Sequence, residues 1–190
     1  AQVDKQALRD SLRKVGRELE RKDPVRNFSM GMKQRLAIAI ALINDPEGLI
    51  LDEPFSGLDP LGIESLQKLI RMLAEKENLA ILISSHMIGE LEKVCSTLQV
   101  LKNGRTINYG KTSKVIAQNT DSHAIYAPNI GASKILESLG AEIKGNCARL
   151  KIGTDGISNL LKELYLEGTF ITSCTPIVNT VKLFETPIKP

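Results

Sequence analysis

The 190-residue chain is poor in cysteine, and its three, Cys95, Cys147 and Cys174, are widely spaced with no Cys-x-x-Cys pair. An odd, unpatterned set excludes a disulfide framework and a cysteine zinc site, and fits reduced thiols in a cytosolic protein. Long apolar runs are also lacking. The longest, Leu36 to Ile43, has eight residues, against about 20 for a bilayer-spanning helix. No signal-peptide pattern opens the chain, because Asp4 and Lys5 come early and no apolar stretch follows. Charge of one sign is lacking as well: 25 basic residues face 22 acidic ones, for a net charge of +3. That balance argues against duplex nucleic acid as a partner, which needs a concentrated basic face. Basic residues do gather at Arg9, Arg13, Lys14, Arg17, Arg21 and Lys22, but Asp10, Glu18 and Glu20 interleave with them, as on a solvated helix face. Heptads, internal repeats and low-complexity segments are absent, and so is any GxxxxGK[ST] phosphate-binding loop. The chain opens on Ala1 rather than Met, and an upstream segment is expected to have been removed.

What is present suffices for a core, since apolar residues make up 42%. Leu8, Leu12, Val15 and Leu19 predict a helix over residues 4–20, followed by a loop around Pro24. A second helix is expected from Ser29 or Met30 to Asn44, with Leu36, Ile40 and Ile43 as its buried stripe. The apolar run Gly48 to Asp52 suits a strand buried on both faces. Asp59-Pro60 reads as an N-cap and first helical residue, opening a helix to about Lys76. Leu79 to Ser85 is a second buried strand, and Ile88, Leu91 and Val94 mark another helix. Leu98 to Gly110 reads as a hairpin turning at Asn103-Gly104, a type I′ signal. Alternating strands and helices point to an α/β sheet with crossover connections. The composition turns polar over residues 111–121, which places a domain boundary there. Beyond it the order strand–helix–strand–strand–helix–strand follows the split βαβ, ferredoxin-like plan, with a last short helix at 178–184.

Chemistry concentrates at LILDEP, Leu49 to Pro54. Carboxylates at the C-terminal end of a parallel strand sit where α/β folds bind ligands. Asp52 is placed to reach a hard cation such as magnesium, directly or through water. Glu53, one residue later, is placed to polarise a water. Taken alone, the pair is equally explained as two carboxylates capping a strand end. His86 ends the next strand, at the same sheet edge if the strands are parallel neighbours, where it could bond a phosphate oxygen. His123 has no partner in reach by sequence, so a satisfied half-buried histidine explains it. Ser29 can cap the second helix, and Gly31 lets backbone approach an anion at the helix N-terminus.

The run FSMGMKQRLAIAIALINDPEGLILDEPFSGLDP, Phe28 to Pro60, followed by ILISSH, Ile81 to His86, resembles the ATP-binding cassette of ABC transporters in order, spacing and chemistry. The resemblance implies ATP and Mg2+ as cofactors, Asp52 as the magnesium-linked aspartate, Glu53 as the catalytic base and His86 as the switch histidine. It implies that Ser29, Met30, Gly31, Met32 and Gln34 contact the nucleotide of an opposing subunit, with Ser56, Gly57 and Asp59 in the loop crossing the dimer seam. The common segment of the family reads Leu-Ser-Gly-Gly-Gln, whereas Phe28, Met30 and Met32 depart from it here, and Phe55 replaces a common threonine without evident chemical consequence. The SMGMKQR form and the small C-terminal domain resemble bacitracin and lantibiotic resistance exporters.

The expected fold is therefore α/β: a partial P-loop NTPase core lacking the P-loop strand, residues 1–120, plus a small α+β domain of βαββαβ order, residues 121–190. The second domain is expected to be regulatory or partner-binding, outside the hydrolytic site. Implied partners are transmembrane permease subunits and a second ATP-binding subunit, at the cytoplasmic face of the membrane. The chain by itself is expected to be inactive. Two other classes compete. A non-transport ABC ATPase of translation or DNA repair would bring two cassettes or long coiled coils. A non-catalytic binding module would bring a start codon near Ala1.

Overall fold

The computed structural model describes residues 4–16 and 24–185. By internal contacts the chain forms two compact units that meet in sequence at Val94 and Cys95.

The first unit opens with helix α1, Lys5–Lys14, whose N-cap Asp4 accepts the Gln6 N–H at 2.9 Å. Gly16, at φ +71°, ends it, so the predicted helix stops short; its expected continuation over 17–20 lies outside the described residues. Of the loop expected around Pro24, residues 25–27 form one 3-10 turn. Helix α2, Met30–Ala41, starts at the predicted cap, with the Ser29 hydroxyl accepting the Met32 N–H at 3.3 Å. Its expected buried stripe is corrected: Ile38, Ala39 and Leu42 are buried, whereas Ile40 is 57% exposed. This helix is apolar nearly all round, so its own periodicity does not select which face is covered.

Strand β1, Gly48–Asp52, and strand β2, Ala80–Ser84, pair in parallel, with Gly48 opposite Ala80 and Asp52 opposite Ser84. Helix α3, Pro60–Lys76, crosses between them and buries Leu66, Leu69, Ile70 and Leu73. Its N-cap Asp59 accepts the Gly62 N–H at 2.7 Å, and a Cβ on Gly62 would lie 2.7 Å from that same oxygen, so glycine is what allows the approach. Helix α4, Ile88–Glu92, follows β2 and is tied to α3 by the Gln67 amide, which donates to Glu90 at 2.6 Å. Burial on both faces of β1 and β2 is not observed. Leu49 and Leu51 are buried, but Ile50 is 76% and Leu82 63% exposed, because only one face of the pair is covered in this unit.

The second unit begins with strands β3, Thr97–Lys102, and β4, Arg105–Lys111, an antiparallel hairpin. Asn103 and Gly104 both take positive φ, 51° and 71°, as a type I′ turn requires. The polar stretch read as a linker is helix α5, Thr112–Gln118, which buries Val115 and Ile116. The sequence reading put a boundary at residue 120, which falls at the start of β5, inside this unit.

Then come strand β5, Thr120–Tyr126, helix α6, Lys134–Ser138, strands β6, Glu142–Lys144, and β7, Cys147–Leu150, helix α7, Thr154–Leu166, strand β8, Ser173–Val178, and helix α8, Thr180–Glu185. The sheet runs β6-β7-β5-β8 with every pairing antiparallel. Ile125, Ala148 and Leu150 meet Leu136, Ile157, Leu160 and Leu164 in one core beneath the helices. His123 lies in this unit's interior, its Nδ1 2.8 Å from the Ile152 carbonyl, a satisfied structural histidine.

Glu167, just past the end of α7, binds the start of α6. Its carboxylate accepts the Ser133 hydroxyl at 2.5 Å and the N–H groups of Lys134 and Ile135 at 2.9 and 3.2 Å. The Ser133 hydroxyl first, then the N–H groups, hold its pKa below the usual carboxylate value. A lowered folded pKa contributes stability above the unfolded value of about 4.3, lost as pH falls through the folded one. Glu167→Gln should therefore lower the thermal midpoint at about pH 7 and do so much less at about pH 3. An equal gap at both, by circular dichroism, would contradict this role.

Candidate functional site

Adjacent strand ends in the first unit bring together Asp52, Glu53 and His86. Asp52 closes β1 and Glu53 follows at φ +45°. For a non-glycine residue this left-handed backbone costs on the order of 1 kcal/mol or more. The Glu53 N–H is held by Ser84, at 3.0 Å from its carbonyl and 3.2 Å from its hydroxyl oxygen. That hydroxyl donates in turn to Asp52 Oδ1. The Glu53 carboxylate accepts the His86 main-chain N–H on Oε1 at 3.1 Å, and Oε2 lies 3.0 Å from His86 Nδ1. The Glu53 and His86 side chains are 40% and 74% exposed, so the contact adds little to stability. A backbone held in a disfavoured region around an exposed pair points to function rather than folding.

A ring donating from Nδ1 to Glu53 can also donate from Nε2 only as imidazolium. Among the described residues no group of three or more His, Cys, Asp or Glu could hold a metal. Asp52 supplies one carboxylate, whose Oδ1 is taken by Ser84. This fits a magnesium ion that keeps water and phosphate oxygens for its remaining ligands, and does not fit a closed all-protein site.

The other predicted residues lie where α2 meets α3. A cleft of about 290 Å³ is walled by Ser29, Gly31, Met32 and Gln34 on one side and by Leu58 and Gly62 on the other. Met30 is 54% exposed, and its Cε lies 3.7 Å from where a Gly57 Cβ would be. Ser56 donates its N–H to the Glu53 carbonyl at 3.1 Å, so the loop from Glu53 to Asp59 folds back on itself. Asp59 already serves as the α3 cap. Phe55, read from sequence as chemically neutral, is 1% exposed and anchors this loop.

Sequence reasoning missed two residues. Ser84 is the polar end of an apolar strand, and its role follows only from the β1–β2 register. Arg35 closes FSMGMKQR; its guanidinium donates to the Val15 carbonyl at 2.5 Å and to the Ser65 hydroxyl at 2.6 Å, joining α1, α2 and α3. An arginine amid apolar helix residues was the available signal, since a half-buried charge needs partners.

Residues 2–56 match the ABC transporter family profile. The chain is 33% identical over 188 residues to a bacitracin transport ATP-binding protein of Bacillus licheniformis, covering 88% of this chain and 61% of that protein. It is 45% identical over 105 residues to a lantibiotic transport ATP-binding protein of Streptococcus pyogenes, covering 55% and 45%. Among solved structures, CbiO1 of Clostridium perfringens, part of an ABC transporter complex, aligns with a TM-score of 0.56 at 34% identity, covering 60% of this chain and 45% of that one. The chain spans about half the length of these curated relatives, 61% and 45%. Shared sequence, shared fold and the strand-end carboxylates agree: residues 2–56 match the ABC transporter family, and the chain is similar to ATP-binding proteins of bacitracin and lantibiotic transport.

Proposed function

We propose that this chain supplies the signature segment and hydrolytic edge of an ATPase subunit driving export of a peptide antibiotic or drug. The observation that carries the reading is the Glu53 carboxylate joined to both the main-chain N–H and the ring of His86 at adjacent strand ends. In this reading Glu53 is the base that takes a proton from the attacking water, and His86 orients the carboxylate and reaches a terminal phosphate oxygen. Asp52 holds magnesium directly or through water. ATP with its magnesium supplies the electrophilic phosphoryl group.

Ser29, Met30, Gly31, Met32 and Gln34, at the N-terminus of α2, face the nucleotide of a second ATP-binding subunit. The first-turn N–H groups and the helix dipole favour a phosphate there. Ser56, Gly57 and Asp59 line the seam between the two subunits. The 190 residues contain no phosphate-cradling loop, so by themselves they are inactive in this reading. Residues 121–190 serve regulation or partner binding, and transmembrane permease subunits, met at the cytoplasmic face of the membrane, carry the substrate. The export reading is tested by deleting the gene in its host and measuring sensitivity to bacitracin and to a lantibiotic. Increased sensitivity, restored by the intact gene and not by one encoding Glu53→Gln, is expected. Unchanged sensitivity to both compounds rejects peptide-antibiotic export.

A further inference from the structure

We propose that Ser84 is a positioning residue for the strand-end carboxylates, an inference that rests on Asp52 and Glu53 acting as described above. Strand β2 reads Ala-Ile-Leu-Ile-Ser, so the hydroxyl is the one departure from an apolar strand. Parallel register sets Ser84 opposite Asp52, on the uncovered face of the strand pair. Its hydroxyl donates to Asp52 Oδ1, and its oxygen shares the Glu53 N–H, at 3.2 Å, with the Ser84 carbonyl at 3.0 Å. One hydroxyl therefore commits its donor to one carboxylate residue and an acceptor site to the next. The chain must turn between them, from extended Asp52 to Glu53 at φ +45°. Two adjacent carboxylates also repel each other, and a proton donor on Asp52 eases that repulsion. Ser84 thus orients Asp52 with Oδ2 left for another ligand, and pins the turn that carries the Glu53 carboxylate to His86.

The test uses Ser84→Ala and Ser84→Thr. Amide exchange is measured by NMR in the 190-residue chain, and ATP turnover in a complete ATP-binding subunit carrying this sequence. Removing a hydrogen bond to a charged group should lower kcat about tenfold. KM for Mg-ATP should change little, and exchange at the Glu53 amide should quicken. Thr keeps the hydroxyl and suits a strand, so Ser84→Thr should stay close to wild type in both readouts. Glu53→Gln, run alongside, tests the underlying reading. If it turns over like wild type, the base assignment fails, and Ser84 is judged on exchange alone. Unchanged Glu53 exchange in Ser84→Ala overturns the proposal whatever the turnover. So does Ser84→Thr as impaired as Ser84→Ala, or normal turnover in Ser84→Ala beside an inactive Glu53→Gln.

Discussion

Glu53→Gln in a complete ATP-binding subunit carrying this sequence is expected to cut ATP turnover by about 10²–10⁴-fold, the usual contribution of a positioned base. ATP binding should survive. Glutamine keeps the side chain's length and can still accept the His86 main-chain N–H, which reaches Glu53 Oε1 at 3.1 Å. What it loses is the second basic oxygen, 3.0 Å from the His86 ring, and with it the place for a proton drawn from water. The strained backbone at φ +45° is unaffected by the exchange, so the variant should fold. Single-turnover hydrolysis alongside nucleotide binding separates the two effects. Turnover near wild type would remove Glu53 from the chemistry and leave its contact with His86 as a surface pair.

Phe55→Ala is the second large effect, and it acts on stability. The side chain is 1% exposed in the loop that connects Glu53 to the α3 cap at Asp59. Truncating a buried phenylalanine removes its transfer free energy and leaves a cavity, a cost of about 3–5 kcal/mol. Urea unfolding of the 190-residue chain should show a matching fall in the midpoint. Phe55→Leu should cost far less, because most of the volume is retained. A loss below about 1 kcal/mol for Phe55→Ala would mean that the loop collapses freely around the gap. The family resemblance had marked this position only as a place where threonine is common; its burial gives it a physical role, holding the loop whose two ends carry Glu53 and Asp59.

Much of the site was legible because its signals are local. Ser29 and Asp59-Pro60 announce helix starts through bonds reaching only three residues ahead. Asn103-Gly104 announces its turn through backbone preferences of two residues. Asp52 and Glu53 were recognisable as a strand-end pair because they are neighbours in the chain, and His86 because it ends the next apolar run. The polar stretch before residue 121 misled for the same reason. Polarity was read as a linker, yet Thr112, Val115 and Ile116, spaced i, i+3 and i+4, are buried in their own unit.

Other features depend on what lies far away in sequence. Periodicity names apolar residues on every side of α2 and both faces of β1, but burial needs a covering surface. Leu49 and Leu51 have one, whereas Ile50, Leu82 and Ile40 remain exposed. Glu167 supports the Ser133 cap of α6 only because the fold brings it there, 34 positions along the chain. Ser84 touches Asp52 and Glu53 only once the parallel register is set, 32 and 31 positions away. Helix starts, tight turns and the order of elements follow from backbone geometry within a few residues, which the chain carries wherever it goes. Which faces are covered, and which distant polar groups share a proton, follow from packing.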